Sequence, residues 1–107
     1  MFARVVEFIP KYEKKDELIK TIKNEVVPIL KKQVGFLDIL PLFPEMNNEK
    51  VLHVTLWMEK KDAERYEKEV FPRVQNIVGP FLATPITWKL YNVETTLCEH
   101  LLDAIAA

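Results

Sequence analysis

The chain has 107 residues, a formal net charge of −1, 49% apolar and 29% charged residues. That length holds one core, and lysines interspersed with glutamates at near-neutral charge argue against a nucleic-acid partner. No apolar run reaches membrane-spanning length and no charged-then-apolar leader is visible, while Cys98 as the only cysteine excludes an internal disulfide and a thiolate zinc site; the expected compartment is the cytoplasm, with no membrane partner.

Phe2 to Ile9 is rich in Val, Phe and Ile and stops at Pro10, which has no N–H for a ladder, so it predicts a strand. From Asp16 the period changes. Leu18, Ile19, Ile22, Val26, Ile29 and Leu30 recur at three- and four-residue steps, with Lys20, Lys23, Lys31 and Lys32 opposite, which predicts an amphipathic helix bent near Pro28 and stopped by Gly35. Phe36 to Phe43 is a second strand, and Pro41 assigns it to a sheet edge. The polar loop from Pro44 to Lys50 returns the chain into Val51 to Met58, the clearest strand. Lys60 to Val78 predicts a second helix with the stripe Ala63, Tyr66, Val70, Val74, Ile77 and Val78, bent near Pro72 and ended by Gly79-Pro80. Ile86 to Val93 is the fourth strand, and a capping-box spacing at Thr96 and Glu99 precedes a short tail helix, Leu97 to Ile105.

The order β-α-β-β-α-β defines one α+β domain, a ferredoxin-like antiparallel sheet with both helices on one face, plus the tail helix. Period-two sorting makes both sheet faces apolar: Leu52, Val54, Leu56 and Met58 oppose His53, Thr55 and Trp57, and Leu37, Ile39 and Phe43 oppose Phe36, Leu40 and Leu42. On the fourth strand Ile86, Trp88 and Leu90 oppose Lys89, Tyr91 and Val93. Two helices cover one face only. Burying roughly 500 Å² of the other against a second copy is worth about 10 kcal/mol per subunit before association costs, so the sequence predicts a homodimer through the helix-free face. The alternative is a monomer in which Leu97, Leu101, Leu102 and Ile105 of the tail cover that face.

Serine is absent, which removes serine-nucleophile catalysis, and Gly35 and Gly79 are too isolated for a phosphate-cradling loop. His53 and His100 lie far apart with no ligand spacing around them, so no metal-ligating or cofactor-binding residues are assigned. Gly35-Phe36, the hairpin, a strand ending in Trp57-Met58-Glu59 and a helix carrying Ala63 and Tyr66 together resemble the antibiotic biosynthesis monooxygenase family over about residues 2–93. The resemblance implies a dimeric α/β barrel with a ligand pocket inside each subunit, between sheet and helices. Members include cofactor-independent oxygenases of aromatic polyketides, haem-degrading oxygenases and quinone-forming enzymes. Trp57 matches the tryptophan of the polyketide oxygenases; His53 stands at their asparagine, Ala63 at their tyrosine, and their pocket arginine falls near Ile77, with Arg73 one helical turn earlier. In the haem-degrading branch a tryptophan stands where this chain has Tyr66 and the iron-binding histidine where it has Asn76, and Val5, Val6 and Glu7 fill the region of its first-strand asparagine. That route is not implied.

The candidates for chemistry are therefore His53 as a proton acceptor for a phenolic substrate and Trp57 beside it, with Thr55, Tyr66, Phe81, Arg73 and Asn76 around the pocket. His53 equally suits a structural hydrogen bond, and the aromatic residues equally suit ordinary packing. Arg4 and Glu7 point to opposite faces of the first strand, so at least one meets interior volume, either paired or lining the pocket. Cys98 reads as a small packing residue. Two functions follow: a protein that binds an aromatic or quinone-like metabolite, with cofactor-independent monooxygenation as its reaction, or a non-catalytic binding or assembly module of the same fold.

Overall fold

The computed structural model describes residues 1–98, 100 and 103. Four strands, β1 (Phe2–Phe8), β2 (Phe36–Leu42), β3 (Val51–Trp57) and β4 (Thr87–Asn92), form one antiparallel sheet in the order β2-β3-β1-β4. The apolar strands β1 and β3 take the centre and the proline-bearing β2 takes an edge, as ladder chemistry requires. Alternation along β1 and β3 sends Arg4, Val6 and Phe8 together with Val51, His53, Thr55 and Trp57 under the helices, and all seven are buried. The ferredoxin-like α+β arrangement is the one expected.

The first helical rod is α1 (Lys15–Thr21), a π-helical turn (Ile22–Val26) and α2 (Val27–Lys31) in unbroken succession. Pro28 explains the widening. A proline ring crowds the carbonyl four residues back, and the turn before it opens until the Val27 N–H reaches the Ile22 carbonyl, five residues away. The second helical stretch is two helices, α3 (Lys60–Glu69) and α4 (Phe71–Val78), rather than one bent helix. They break at Val70, with φ −119°, because Pro72 cannot donate to the preceding turn. Leu18, Leu30, Trp57 and Ala63 are sealed in the core between these helices and the sheet.

β2 departs from strict alternation. Phe36 pairs with Trp57 and Asp38 with Leu56, so Leu37 is an extra residue that slips the register. Phe36 therefore shares the helix-facing side with Ile39 and Pro41, not the side of Leu40 and Leu42. The opposite, helix-free face bears part-buried Val5, Leu52 and Val54, and exposed Leu40, Leu42 and Tyr91. The chain after β4 forms a 3-10 turn at Thr95–Leu97, and half-buried Cys98 donates its thiol to the Glu94 carbonyl at 3.5 Å. Most of the tail helix expected over 97–105, including Leu101, Leu102 and Ile105, lies outside the described residues.

Gly35 joins the first rod to β2 with φ +81°, and a Cβ there would run into the carboxylate of Asp62, which α3 buries over the glycine. The Gly35 carbonyl also accepts the Met58 N–H at 2.8 Å, so loop, strand end and helix start close on one residue. Left-handed backbone and the close approach both demand glycine. We expect Gly35→Ala to destabilise the fold by about 2 kcal/mol or more, read as a lower urea midpoint at unchanged slope.

Candidate functional site

Adjacent central strands set the site. Arg4 pairs with Thr55 and Val6 with His53, so Arg4 and His53 are diagonal neighbours on the helix-facing side. Above them sit Ile22, Val26 and Leu30 of the first rod, and Tyr66, Phe71, Val74 and Val78 of α3 and α4. These walls enclose a cavity of about 40 Å³ bordered by Arg4, His53, Thr55 and Tyr66. A second space of about 160 Å³ opens between the rod and β2, walled by Ile19, Val27, Pro41 and Phe43 with Lys23 among its lining. Ile22, Ile39 and His53 border both spaces, which adjoin at these side chains. The π turn thus contributes to the helical side of both, through Ile22 and Val26 at the cavity and Ile22 and Lys23 at the groove.

Arg4 is the most heavily constrained polar residue of the site. Its side chain is 2% exposed, and its Nε donates to Glu67 Oε1 at 3.3 Å. The guanidinium lies 3.8 Å from the Phe71 ring centroid, 5.3 Å from that of Trp88 and 5.5 Å from that of Tyr66. Its Nη2 is buried without a hydrogen-bond partner, and so is Nε2 of His53; among the described residues no other buried side-chain nitrogen or oxygen shares that condition. Both residues border the one inner cavity. A buried polar atom left alone costs about 1–3 kcal/mol, and both belong to residues that border one cavity with room for a water or a ligand oxygen.

Burial fixes the protonation states. Desolvation pushes the His53 imidazole down from 6.5 to about 4, with Phe8 and Phe43 packed edge-on against it. It is a neutral ring in neutral solution, the form that accepts a proton, and a weaker acceptor than an exposed imidazole. Desolvation raises the Tyr66 phenol to about 12, the Arg4 charge opposing, so Tyr66 stays protonated. Burial also lowers the Arg4 guanidinium from its ordinary value, and the bond to Glu67 opposes that shift. Arginine keeps its proton in such sites, which leaves the cavity cationic.

The expected site residues separate. His53, Thr55 and Tyr66 border the cavity. Trp57 is fully buried one layer aside, its indole N–H donating to Thr55 Oγ1 at 2.9 Å and its ring against Phe36 and Tyr66; it borders neither space. Phe81 is half-buried at the end of α4, where its carbonyl accepts the Lys11 N–H at 2.8 Å, away from both spaces. Arg73 and Asn76, expected in the pocket, are exposed: the buried stripe of α4 is Phe71, Val74 and Val78, which turns positions 73 and 76 outward. The sequence reading left out Glu67 and Phe71, placed Trp88 only among the aromatic residues of the fourth strand, and left the direction of Arg4 open. An arginine inside an apolar strand, in phase with Val6 and Phe8, was the available signal. Glu7 lies on the other face and pairs with Lys50 Nζ at 3.3 Å. A further hollow of about 230 Å³ between the 10–15 loop and the β2–β3 hairpin borders neither unpartnered atom.

The chain is similar in fold to antibiotic biosynthesis monooxygenase structures. SnoaB, a cofactor-independent oxygenase from Streptomyces nogalater, matches with a TM-score of 0.74 at 14% identity, over 92% of this chain and 97% of that one. The monooxygenase from the gene ActVA-Orf6 of Streptomyces coelicolor, solved with the ligand nanaomycin D, matches with a TM-score of 0.68 at 17% identity, over 87% of each chain. A protein of Bordetella bronchiseptica provisionally described as an antibiotic biosynthesis monooxygenase matches with a TM-score of 0.72 at 10% identity, over 86% of this chain and 95% of that one. No family model matches the chain, and no curated protein matches it. Among the described residues no helix is long and apolar enough to cross a membrane.

The depressed His53 value makes stability depend on pH. The unfolded chain takes up a proton near pH 6.5 while the folded chain resists until about pH 4, so the contribution is complete above 6.5 and is lost as pH falls through that window. The loss is on the order of 3 kcal/mol. Urea titrations across this range are expected to show the fall in wild type and a flatter profile in His53→Leu, which also removes the unpartnered nitrogen.

Proposed function

We propose that this chain binds a small hydroxylated aromatic or quinone-like metabolite between its first helical rod and the sheet, and that its reaction is oxygenation by dioxygen without a bound cofactor. The observation that carries this reading is the pair of unpartnered buried nitrogens, Arg4 Nη2 and His53 Nε2, on one cavity at the inner end of an apolar groove. The groove suits an aromatic ring and the cavity suits its oxygen substituent. Both volumes fall below the roughly 300 Å³ at which drug-sized ligands begin, so the ligand class is one or two fused rings. SnoaB and the ActVA-Orf6 monooxygenase, alike in fold, support oxygenation as the reaction class.

In such a reaction a phenol and dioxygen give a para-quinone and water: the ring C–H opposite the hydroxyl becomes C=O, one oxygen atom enters the product and the other leaves as water. The electrons come from the substrate. The protein orients the ring, excludes water through Ile22, Ile39 and Val74, and hydrogen-bonds the substrate oxygen from neutral His53. A binding or assembly module without turnover is the second reading, and the small inner volume favours it. Calorimetric titration with 1-naphthol is expected to give a Kd of about 100 μM or tighter, lost in Val27→Trp, which fills the groove. Under labelled dioxygen, one labelled atom in naphthoquinone supports the enzyme; binding without product supports the module.

The same reading includes a homodimer through the helix-free face, supported by Leu40, Leu42 and Tyr91 exposed beside Val5, Leu52 and Val54. Val54→Lys places a charge at the centre of that face on β3. Sedimentation is expected to give a dimer for wild type and a monomer of unchanged circular dichroism for the variant; a wild-type monomer at high concentration removes the assembly.

A further inference from the structure

We infer that Arg4 is an oxyanion receptor, so that the site takes its aromatic ligand in the deprotonated, phenolate or enolate form with the anionic oxygen at Arg4 Nη2. This rests on the aromatic-site reading above and specifies it. The argument begins with an imbalance of charge. The guanidinium is nearly sealed from solvent, yet its ion partner Glu67 reaches only Nε, at 3.3 Å, and is 40% exposed, so much of its field is spent in water. Phe71, Trp88 and Tyr66 offer ring faces that suit a cation but supply no lone pairs to Nη2.

Among the described residues no other anion faces the group. From α3 come Tyr66, protonated, and Glu67; from β3 come neutral His53 and Thr55, whose hydroxyl is already engaged with Trp57; from the first rod come Ile22, Val26 and Leu30. On β4 the residue paired with Arg4 is Leu90. An incoming oxyanion would satisfy Nη2 through a charge-assisted hydrogen bond, roughly twice as strong as a neutral one, and would complete the neutralisation that Glu67 leaves unfinished. The inner cavity of about 40 Å³ holds an oxygen atom, not a ring, which fits a ligand whose ring lies in the apolar groove and whose head group passes His53. The chemical consequence is that the ligand is acidified by the site. A phenolate held by a cation needs no strong base in the protein, and neutral His53 is relieved of that role.

The test uses 4-nitrophenol, whose phenolate absorbs visibly, and 4-nitrotoluene, its neutral counterpart, with the full-length chain. Across the neutral range, above the pH near 4 at which His53 gains its proton, bound 4-nitrophenol is expected to ionise at least about one pH unit below the free probe. In Arg4→Met the bound probe ionises at or above the free value. Glu67→Gln, which keeps an amide oxygen to accept from Arg4 Nε and whose fold is checked by circular dichroism, binds the phenolate about three- to tenfold more tightly and 4-nitrotoluene unchanged. Equal affinity for phenolate and 4-nitrotoluene, or an unshifted bound probe, overturns the Arg4 assignment while leaving the aromatic site intact. Failure of both probes to bind overturns the aromatic site, and the Arg4 inference with it.

Discussion

Arg4 is a full charge buried between the sheet and its layer of helices, and its neighbourhood is organised around keeping it there. Desolvating a guanidinium is unfavourable by several kcal/mol unless paired, yet this one has a single long contact to a carboxylate that is itself half in water. Three aromatic rings supply the remainder. That arrangement explains why Phe71 must open α4 directly after the break at Val70: a continuous helix from 60 to 78 would carry this ring around the axis and away from the strand. The break is therefore part of the site and not only an effect of Pro72.

The first rod works the same way from the other side. An extra residue in the turn before Pro28 changes the helical phase, so Ile22 and Val26 reach over Arg4 and His53 while Lys23 and Val27 line the groove. The helical wall over Arg4 and His53 includes a π turn, whereas the wall behind them is the regular centre of the sheet. Side chains on that widened turn can change without disturbing strand register.

Much of the architecture was legible because its signals are local. Alternation in β1 and β3, three- and four-residue steps from Leu18 to Leu30, and prolines at 10, 28, 41 and 72 each act within a few residues. Face assignment in β2 went astray at Leu37, since a bulge is a property of two paired strands and one strand alone does not display it. His53, Thr55 and Tyr66 were found by phase. Arg73 and Asn76 came instead from correspondence with other proteins, although the phase of Phe71, Val74 and Val78 already directs them outward. The Arg4 cage was out of reach, being assembled from positions 4, 66, 71 and 88, whose meeting depends on the complete topology.

The slipped register at Leu37 and the proline at 41 together spoil β2 as a template. A stray strand arriving at that border would find a kink followed by a missing N–H, and could not run a continuous ladder along it. Growth of the sheet sideways into filaments is blocked on the flank where Leu40 and Leu42 are bare. The exposed apolar face thus lies beside a border that does not invite a further strand.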